Sequence, residues 1–134
     1  MAVAFWTSQR LLPGYPLLEA RLNATCAANF PYTDGMKPEL HILRTLGWLQ
    51  GTGLEEPQVR TFVADVHAPL DEVTRKALTG SFHMFWGKAE SELVPQDWAE
   101  FQRLCQPGSP DFILKVPNYY AFITYSLFYG KAPR

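Results

Sequence analysis

The sequence predicts an α/β domain with a three-stranded sheet and four to five helices. Three short stretches are rich in aromatic and β-branched residues, as strands are. Helical stretches with apolar residues at spacings of three and four lie between them. Pro and Gly clusters mark the turns. Strands that alternate with helices are typical of layered α/β domains.

The chain begins with an apolar segment, Met1 to Trp6, whose composition predicts a buried strand. After a turn rich in Pro and Gly, residues 17–28 are predicted to form a helix. The reason is that Leu18, Leu22 and Cys26 share one stripe at a spacing of four residues.

A second helix is predicted to start at Pro38 and to end at Gly51 or Gly53, because Pro suits a first helical turn and Gly a terminal cap. The second strand is predicted over residues 59–66. Its apolar residues fall on both parities, which favours a strand that is covered on both faces.

Asp71 is a suitable N-cap for a predicted helix over residues 72–86, and Pro95 opens another helix whose apolar residues lie on a single face. The third strand, Tyr119 to Tyr129, has the strongest strand composition. Apolar residues on both of its parities predict a central strand, and Gly130 follows its end.

Length and composition predict one globular domain over residues 1–134. Hydrophobic residues make up 47% of the chain and charged residues 19%, which is too apolar for a disordered protein. The formal net charge is −1 and the Lys and Arg residues are scattered, so no nucleic-acid partner is expected.

Cysteine spacing and hydropathy indicate whether the protein holds a metal and where in the cell it is located. The two cysteines, Cys26 and Cys105, lack the spacing of a zinc site, so no metal is expected, and reduced thiols suit a cytoplasmic protein. The sequence has no apolar run of about 18 residues, which argues against a membrane span. The opening segment lacks the basic start of a signal peptide.

Three stretches together resemble the C-terminal half of class I S-adenosylmethionine-dependent methyltransferases of the small-molecule type. Residues 3–6, followed by Thr7 and Ser8, resemble the end of the family's fifth strand and the start of its substrate lid. Residues 46–54 and 57–62 resemble its helix, turn and sixth strand, and residues 120–131 resemble its last strand.

The resemblance implies a partial Rossmann-like methyltransferase fold. In this family the last strand inserts between the two before it and runs antiparallel to them, so a mixed sheet with a central, antiparallel C-terminal strand is expected. The strand over residues 1–6 would then lie at an edge that another strand covers in a complete enzyme. An exposed edge invites pairing, so we expect association with a donor-binding chain or with a second copy.

The methyl donor, S-adenosylmethionine, is implied by the resemblance alone. The family binds it in its first half, through a Gly-rich turn that follows a strand. Here Gly51-Thr52-Gly53 follows a predicted helix, and the sequence contains no Gly-x-Gly-x-Gly run. The lone chain is therefore not expected to bind the donor, and we expect methyltransferase activity only when a donor-binding partner completes it.

Methyl transfer depends mainly on positioning a nucleophile, so few acid–base residues are required. His67, at the end of the second strand, and His41, in the first turn of a helix, are the catalytic candidates. The other interpretation of His67 is a solvated loop residue. The candidates for a substrate-binding surface are aromatic or histidine side chains, for which core packing is the alternative: Trp6, Tyr32, His41, Phe82, Trp86 and Tyr119.

The functional prediction is therefore the substrate-covering portion of a methyltransferase that acts on a small molecule and lacks its donor-binding half. Two alternatives stay open. One is a non-catalytic module that binds a small apolar ligand. The other is an interaction protein that regulates a full-length methyltransferase by edge pairing.

Overall fold

The computed structural model describes residues 1–29 and 35–134. Within these residues it contains four α-helices and three strands, joined by short 3₁₀ turns. In chain order they are β1 (Ala2–Arg10), α1 (Pro16–Asn23), α2 (Thr45–Gly51), β2 (Glu55–His67), α3 (Glu72–Trp86), α4 (Pro95–Cys105) and β3 (Tyr120–Lys131). The predicted α/β class is confirmed. No helix in the described residues is long and apolar enough to cross a membrane.

The strand order in the sheet is β1-β3-β2, so the C-terminal strand lies in the middle. Met1 N donates to Gly130 O at 3.2 Å and Gly130 N donates to Met1 O at 3.1 Å. Farther along, the hydroxyls of Thr7 and Thr124 are 2.9 Å apart. These contacts make β1 and β3 antiparallel.

β2 and β3 are also antiparallel, because the hydroxyls of Thr61 and Ser126 meet at 2.9 Å while Ala68 N donates to Tyr119 O at 2.8 Å. Both neighbouring pairs in the sheet are thus antiparallel, and the prediction of a mixed sheet is wrong. β1 and β2 run in the same direction. Because β3 lies between them, they do not pair with each other, and the sheet contains no parallel pair among the described strands.

Hydrogen-bonded residues alternate along an antiparallel pair, which fixes the side to which each backbone group points. The Met1–Gly130 pair makes the odd-numbered residues of β1 face β3, and the even-numbered residues face the outer edge. The Ala68–Tyr119 bond gives β2 the opposite assignment. Odd-numbered β2 residues, Val59 and Val63 among them, therefore direct their N–H and C=O groups away from β3.

The burial of β2 differs from the prediction. The apolar residues on its two parities predict a strand covered on both faces, but only Pro57 and Val66 are even partly buried. In β3, by contrast, Ala121, Ser126 and Phe128 are buried. An apolar composition on both parities therefore does not by itself bury a strand, and β2 is paired on one side only among the described residues.

The chain forms two compact units. The sheet unit consists of Met1–Gln9, Gly35–Asp65 and Phe122–Arg134 and holds most of the sheet and α2. The helical unit consists of Arg10–Asp34 and Val66–Ala121 and holds α1, α3 and α4.

Local signals at the N-terminus account for the two best-predicted helices, both in the helical unit. α3 has the predicted bounds, and the Asp71 carboxylate accepts a hydrogen bond from Thr74 N at 2.7 Å, as an N-cap does. α4 starts at Pro95, whose missing N–H costs nothing in the first turn. The predicted helix over residues 17–28 is shorter, because α1 ends at Asn23 and a 3₁₀ turn, Ala27–Asn29, follows.

The predicted helix from Pro38 is replaced by two 3₁₀ turns and the short α2. His41 lies between the turns in an extended conformation, with φ −69° and ψ 142°, and so is not in the first turn of a long helix. Its Nδ1 accepts a hydrogen bond from Leu43 N at 3.2 Å, which caps the second turn. A side-chain cap at this position ends one helical segment and starts another.

Candidate functional site

The helical unit contains an aromatic core built on α3. Phe82 and Trp86 are one turn apart, and their rings stack at a centroid distance of 6.1 Å and an interplanar angle of 8°. Phe101 of α4 meets the Trp86 ring edge-on at 6.2 Å. The side chains of Phe82 and Trp86 are 1% and 0% exposed. These rings form a buried aromatic cluster.

The polar atoms of the buried rings have hydrogen-bond partners. Trp86 Nε1 donates to Asn23 Oδ1 at 3.0 Å, and the Tyr119 hydroxyl donates to Leu11 O at 2.7 Å. Tyr119 is 0% exposed. Buried aromatic residues with paired polar atoms are what a packed core requires. The structure thus places Phe82, Trp86 and Tyr119 in the core of the helical unit, and their contact with a substrate stays a prediction.

A carboxylate lies in the same core. Glu19 of α1 is 3% exposed, and its oxygens accept hydrogen bonds from Leu11 N at 2.5 Å and Leu12 N at 3.2 Å. Burial raises the pKa of Glu19, while the two backbone bonds and the nearby charge of Arg10 act in the opposite direction. The carboxylate serves as an acceptor for two backbone groups that have left the β1 strand.

The Glu19 carboxylate interacts electrostatically with the thiol of Cys105 and the hydroxyl of Tyr119. Burial raises the pKa of both groups, and the negative charge of Glu19 raises it further. Both groups therefore keep their protons at neutral pH. A buried, protonated thiol is a poor nucleophile, so this Glu19–Cys105–Tyr119 cluster favours a structural role over covalent catalysis.

The sheet unit carries a connected set of hydroxyls that crosses all three strands, here called the hydroxyl ladder. Its oxygen–oxygen distances are 2.8 Å for Ser8–Thr124, 2.9 Å for Thr124–Thr7, 3.1 Å for Thr7–Ser126 and 2.9 Å for Ser126–Thr61. Ser126 is only 5% exposed. Such cross-strand pairs stabilise a sheet and satisfy the buried hydroxyl.

The remaining predicted site residues are distributed between the two units. In the sheet unit, half-buried Trp6 meets Tyr125 edge-on at 5.4 Å, and His41 caps a 3₁₀ turn. In the helical unit, exposed His67 is the last residue of β2, with Nδ1 3.2 Å from Ala68 O. Tyr32 lies outside the described residues. The catalytic roles of His41 and His67 therefore stay predictions.

Sequence reasoning missed Glu19, although a signal was present. Glu19 stands three residues before Leu22 and seven before Cys26, on the stripe that predicts the buried face of α1. A carboxylate on such a stripe requires buried donors. The hydroxyl ladder offered no local signal, because Thr7 and Thr124 are far apart in sequence.

Among the described residues, no group of three His, Cys, Asp or Glu side chains converges to hold a metal ion. Comparison of the chain with protein-family models, curated proteins and solved structures finds no match. The function of this chain is therefore inferred from its strand order, contacts and burial.

Proposed function

We propose that this chain is the C-terminal, substrate-covering portion of an S-adenosylmethionine-dependent methyltransferase that acts on a small molecule. The observation that supports the proposal is the strand order β1-β3-β2, with the last strand antiparallel to both neighbours. This is the arrangement that the sequence resemblance implies for the family's final three strands. The three stretches that carry the resemblance lie on β1, on α2 with β2, and on β3.

The organisation of the helical unit also supports a covering role. Two segments that follow different strands, residues 10–34 after β1 and residues 66–121 after β2, form one compact unit. Its aromatic residues and protonated Cys105 offer packing surface rather than a nucleophile. Methyl transfer gains mainly from holding the acceptor in position and excluding water, which a helical cover can provide.

The described residues do not fit the methyl donor. The first glycine after β1 is Gly14, with φ 93°, and it stands between Pro13 and Pro16. A donor cradle needs successive backbone N–H groups, and Pro has none. We therefore assign donor binding to residues outside this sequence and derive no catalytic step from these residues alone.

The β1 edge is where a donor-binding half would join. In the family's order the strand next to β1 belongs to the missing half, and the even-numbered β1 residues direct their backbone groups outward. Ala2 and Ala4 are exposed on this strand. A short apolar edge strand with outward N–H and C=O groups is a surface for strand addition.

Calorimetry with S-adenosylmethionine tests the proposal. The chain alone should give no binding heat, and the chain co-purified with a donor-binding half, sought in the neighbouring reading frame, should bind the donor and methylate an acceptor. Ala4→Pro removes one outward N–H and should weaken this assembly at least about fivefold. Val3→Pro, which also breaks a bond to β3, is the control for lost folding.

Tight donor binding by the lone chain would contradict the proposal. So would an assembled pair that binds no donor. An apolar small molecule that binds the lone chain, with no effect of the donor half, would support the non-catalytic module instead.

A further inference from the structure

β2 presents large apolar side chains on a strand at the border of the sheet. Val59, Phe62 and Val63 are 43%, 45% and 67% exposed. Within residues 1–29 and 35–134, no strand pairs with the outer side of β2. The odd-numbered residues direct their backbone donors and acceptors to that side, so the strand offers both hydrogen bonds and apolar area.

Proteins protect such edges with Pro, bulges and charges, and here the protection covers only the start of the strand. Glu56 has φ 50° and Pro57 lacks an N–H, so pairing is blocked there. The guanidinium of Arg60 lies over the Phe62 ring at 5.2 Å, partly screening the ring without blocking the backbone. From Gln58 onward, no strand among the described residues pairs with the outer side of β2.

We propose that β2 pairs antiparallel with β2 of a second copy of this chain, centred on Thr61. A two-fold axis perpendicular to the sheet keeps each face continuous, so only residues of equal parity stand opposite each other. With Thr61 at the axis, Val59 faces Val63 of the second copy, and Arg60 faces Phe62. The exposed apolar residues on one face and the cation–π pair on the other are then both repeated across the interface.

Charged residues disfavour the two registers that are shifted by one residue from the Thr61 register. Pairing centred on Arg60 sets two guanidiniums opposite each other, and pairing centred on Phe62 sets Val59 opposite Asp65. The Thr61 register avoids both arrangements and sets Val59 opposite Val63. Pro57 stands opposite Asp65 and ends the ladder on each side.

This interface is independent of the proposed function. It uses the β2 edge, whereas the donor-binding half would use the β1 edge, and β3 separates the two. The dimer is measured on the lone chain without donor or acceptor.

Light scattering after size exclusion is the first test. The wild-type chain should have twice the mass of one 15.2 kDa chain at micromolar concentration. Val63→Asp places a charge opposite Val59 and should give the monomer mass. Ala4→Asp makes the same change on the exposed β1 edge and should leave the dimer intact. Circular dichroism confirms that each variant is folded.

Disulfide cross-linking tests the register. In a Cys26→Ser background, Thr61→Cys should form a covalent dimer on oxidation, because opposite Cα atoms in a bonded pair lie about 5.5 Å apart. Val59→Cys alone should not, since its counterpart would lie about 13 Å away along the strand. The double variant with Val59→Cys and Val63→Cys should cross-link again.

A monomeric wild-type chain would overturn the proposal. So would dissociation by Ala4→Asp with no effect of Val63→Asp, because the interface would then be the β1 edge. Cross-linking of Val59→Cys alone as readily as Thr61→Cys would contradict the register.

Discussion

Both backbone polar groups of Leu11 are hydrogen-bonded to buried side chains. Its N–H donates to Glu19 at 2.5 Å, and its carbonyl accepts from the Tyr119 hydroxyl at 2.7 Å. Glu19 and Tyr119 are 3% and 0% exposed. Backbone groups that leave a strand inside a core need partners, and these two residues supply them.

Replacement of Glu19 by Ala should destabilise the chain by roughly 2–4 kcal/mol, because two buried N–H groups lose their acceptor. Urea denaturation followed by circular dichroism measures the change. Glu19→Gln keeps one acceptor oxygen and should lose less. Equal losses for the two replacements would mean that side-chain volume, not hydrogen bonding, holds the Leu11–Leu12 segment.

The pH dependence of stability gives a second measurement on the same residue. Burial raises the pKa of Glu19 above its ordinary value of 4.5, so the folded state binds the Glu19 proton more tightly than the unfolded state does. Its contribution to stability is therefore complete below about pH 4.5 and is lost as the pH rises through the raised pKa. As the pH rises through this range, the wild type should therefore lose unfolding free energy relative to Glu19→Gln.

Denaturation of both proteins at several pH values between about 4 and 8 provides the curves. Asp71 has the opposite sign, because its bond to Thr74 N lowers its pKa and its contribution is lost as the pH falls. It is unchanged in both proteins, so the difference curve isolates Glu19. A flat difference curve would contradict the raised pKa.

Among the elements, β2 and β3 have similar compositions but differ in how deeply their aromatic side chains are buried. Phe128 of the central β3 is 3% exposed and meets Phe5 edge-on at 6.1 Å, whereas Phe62 of β2 is 45% exposed. Sequence alone ranks the two residues alike. Their burial in the folded chain decides the energetic difference.

Phe128→Ala should cost roughly 3–5 kcal/mol of unfolding free energy, as loss of a buried aromatic ring does. Phe62→Ala is the matched variant and should cost less than about 1 kcal/mol when the chain is kept monomeric by Val63→Asp. Urea denaturation of both in that background gives the comparison. Similar losses would show that β2 is covered in solution.

The sequence predicts those elements whose signals are local. Asp71 and Pro95 mark the starts of α3 and α4 because an N-cap side chain and a first-turn Pro both act within one turn. The predicted helix from Pro38 is wrong because His41 caps a 3₁₀ turn within the predicted span. The exposure of β2 is a property of the folded chain, and its apolar composition does not predict it.

The candidate site follows the same division. The aromatic residues at the end of α3 are evident in the sequence, and the structure places Phe82 and Trp86 together. Their depth in the core is a tertiary property. The hydroxyl ladder joins residues from three strands, including Thr7 and Ser126, and no single-sequence pattern predicts that meeting.

For the whole molecule, the two borders of the sheet are the features that couple structure to assembly. β1 and β2 flank β3 on opposite sides, so a donor-binding half and a second copy would not compete for one edge. Both edges also make the chain prone to non-specific pairing whenever electrostatic repulsion between molecules is small.

The net charge sets the pH at which that repulsion vanishes. The chain carries −1 at pH 7, and its isoelectric point is about 6.3, so repulsion is smallest near that pH. Static light scattering at low salt should show the most association beyond the dimer near pH 6.3 and less near pH 8. Val63→Asp and Ala4→Asp lower the isoelectric point equally, but only Val63→Asp interrupts the exposed run on β2. Val63→Asp should therefore reduce the scattering more at matched net charge, and equal reductions would assign the association to charge alone.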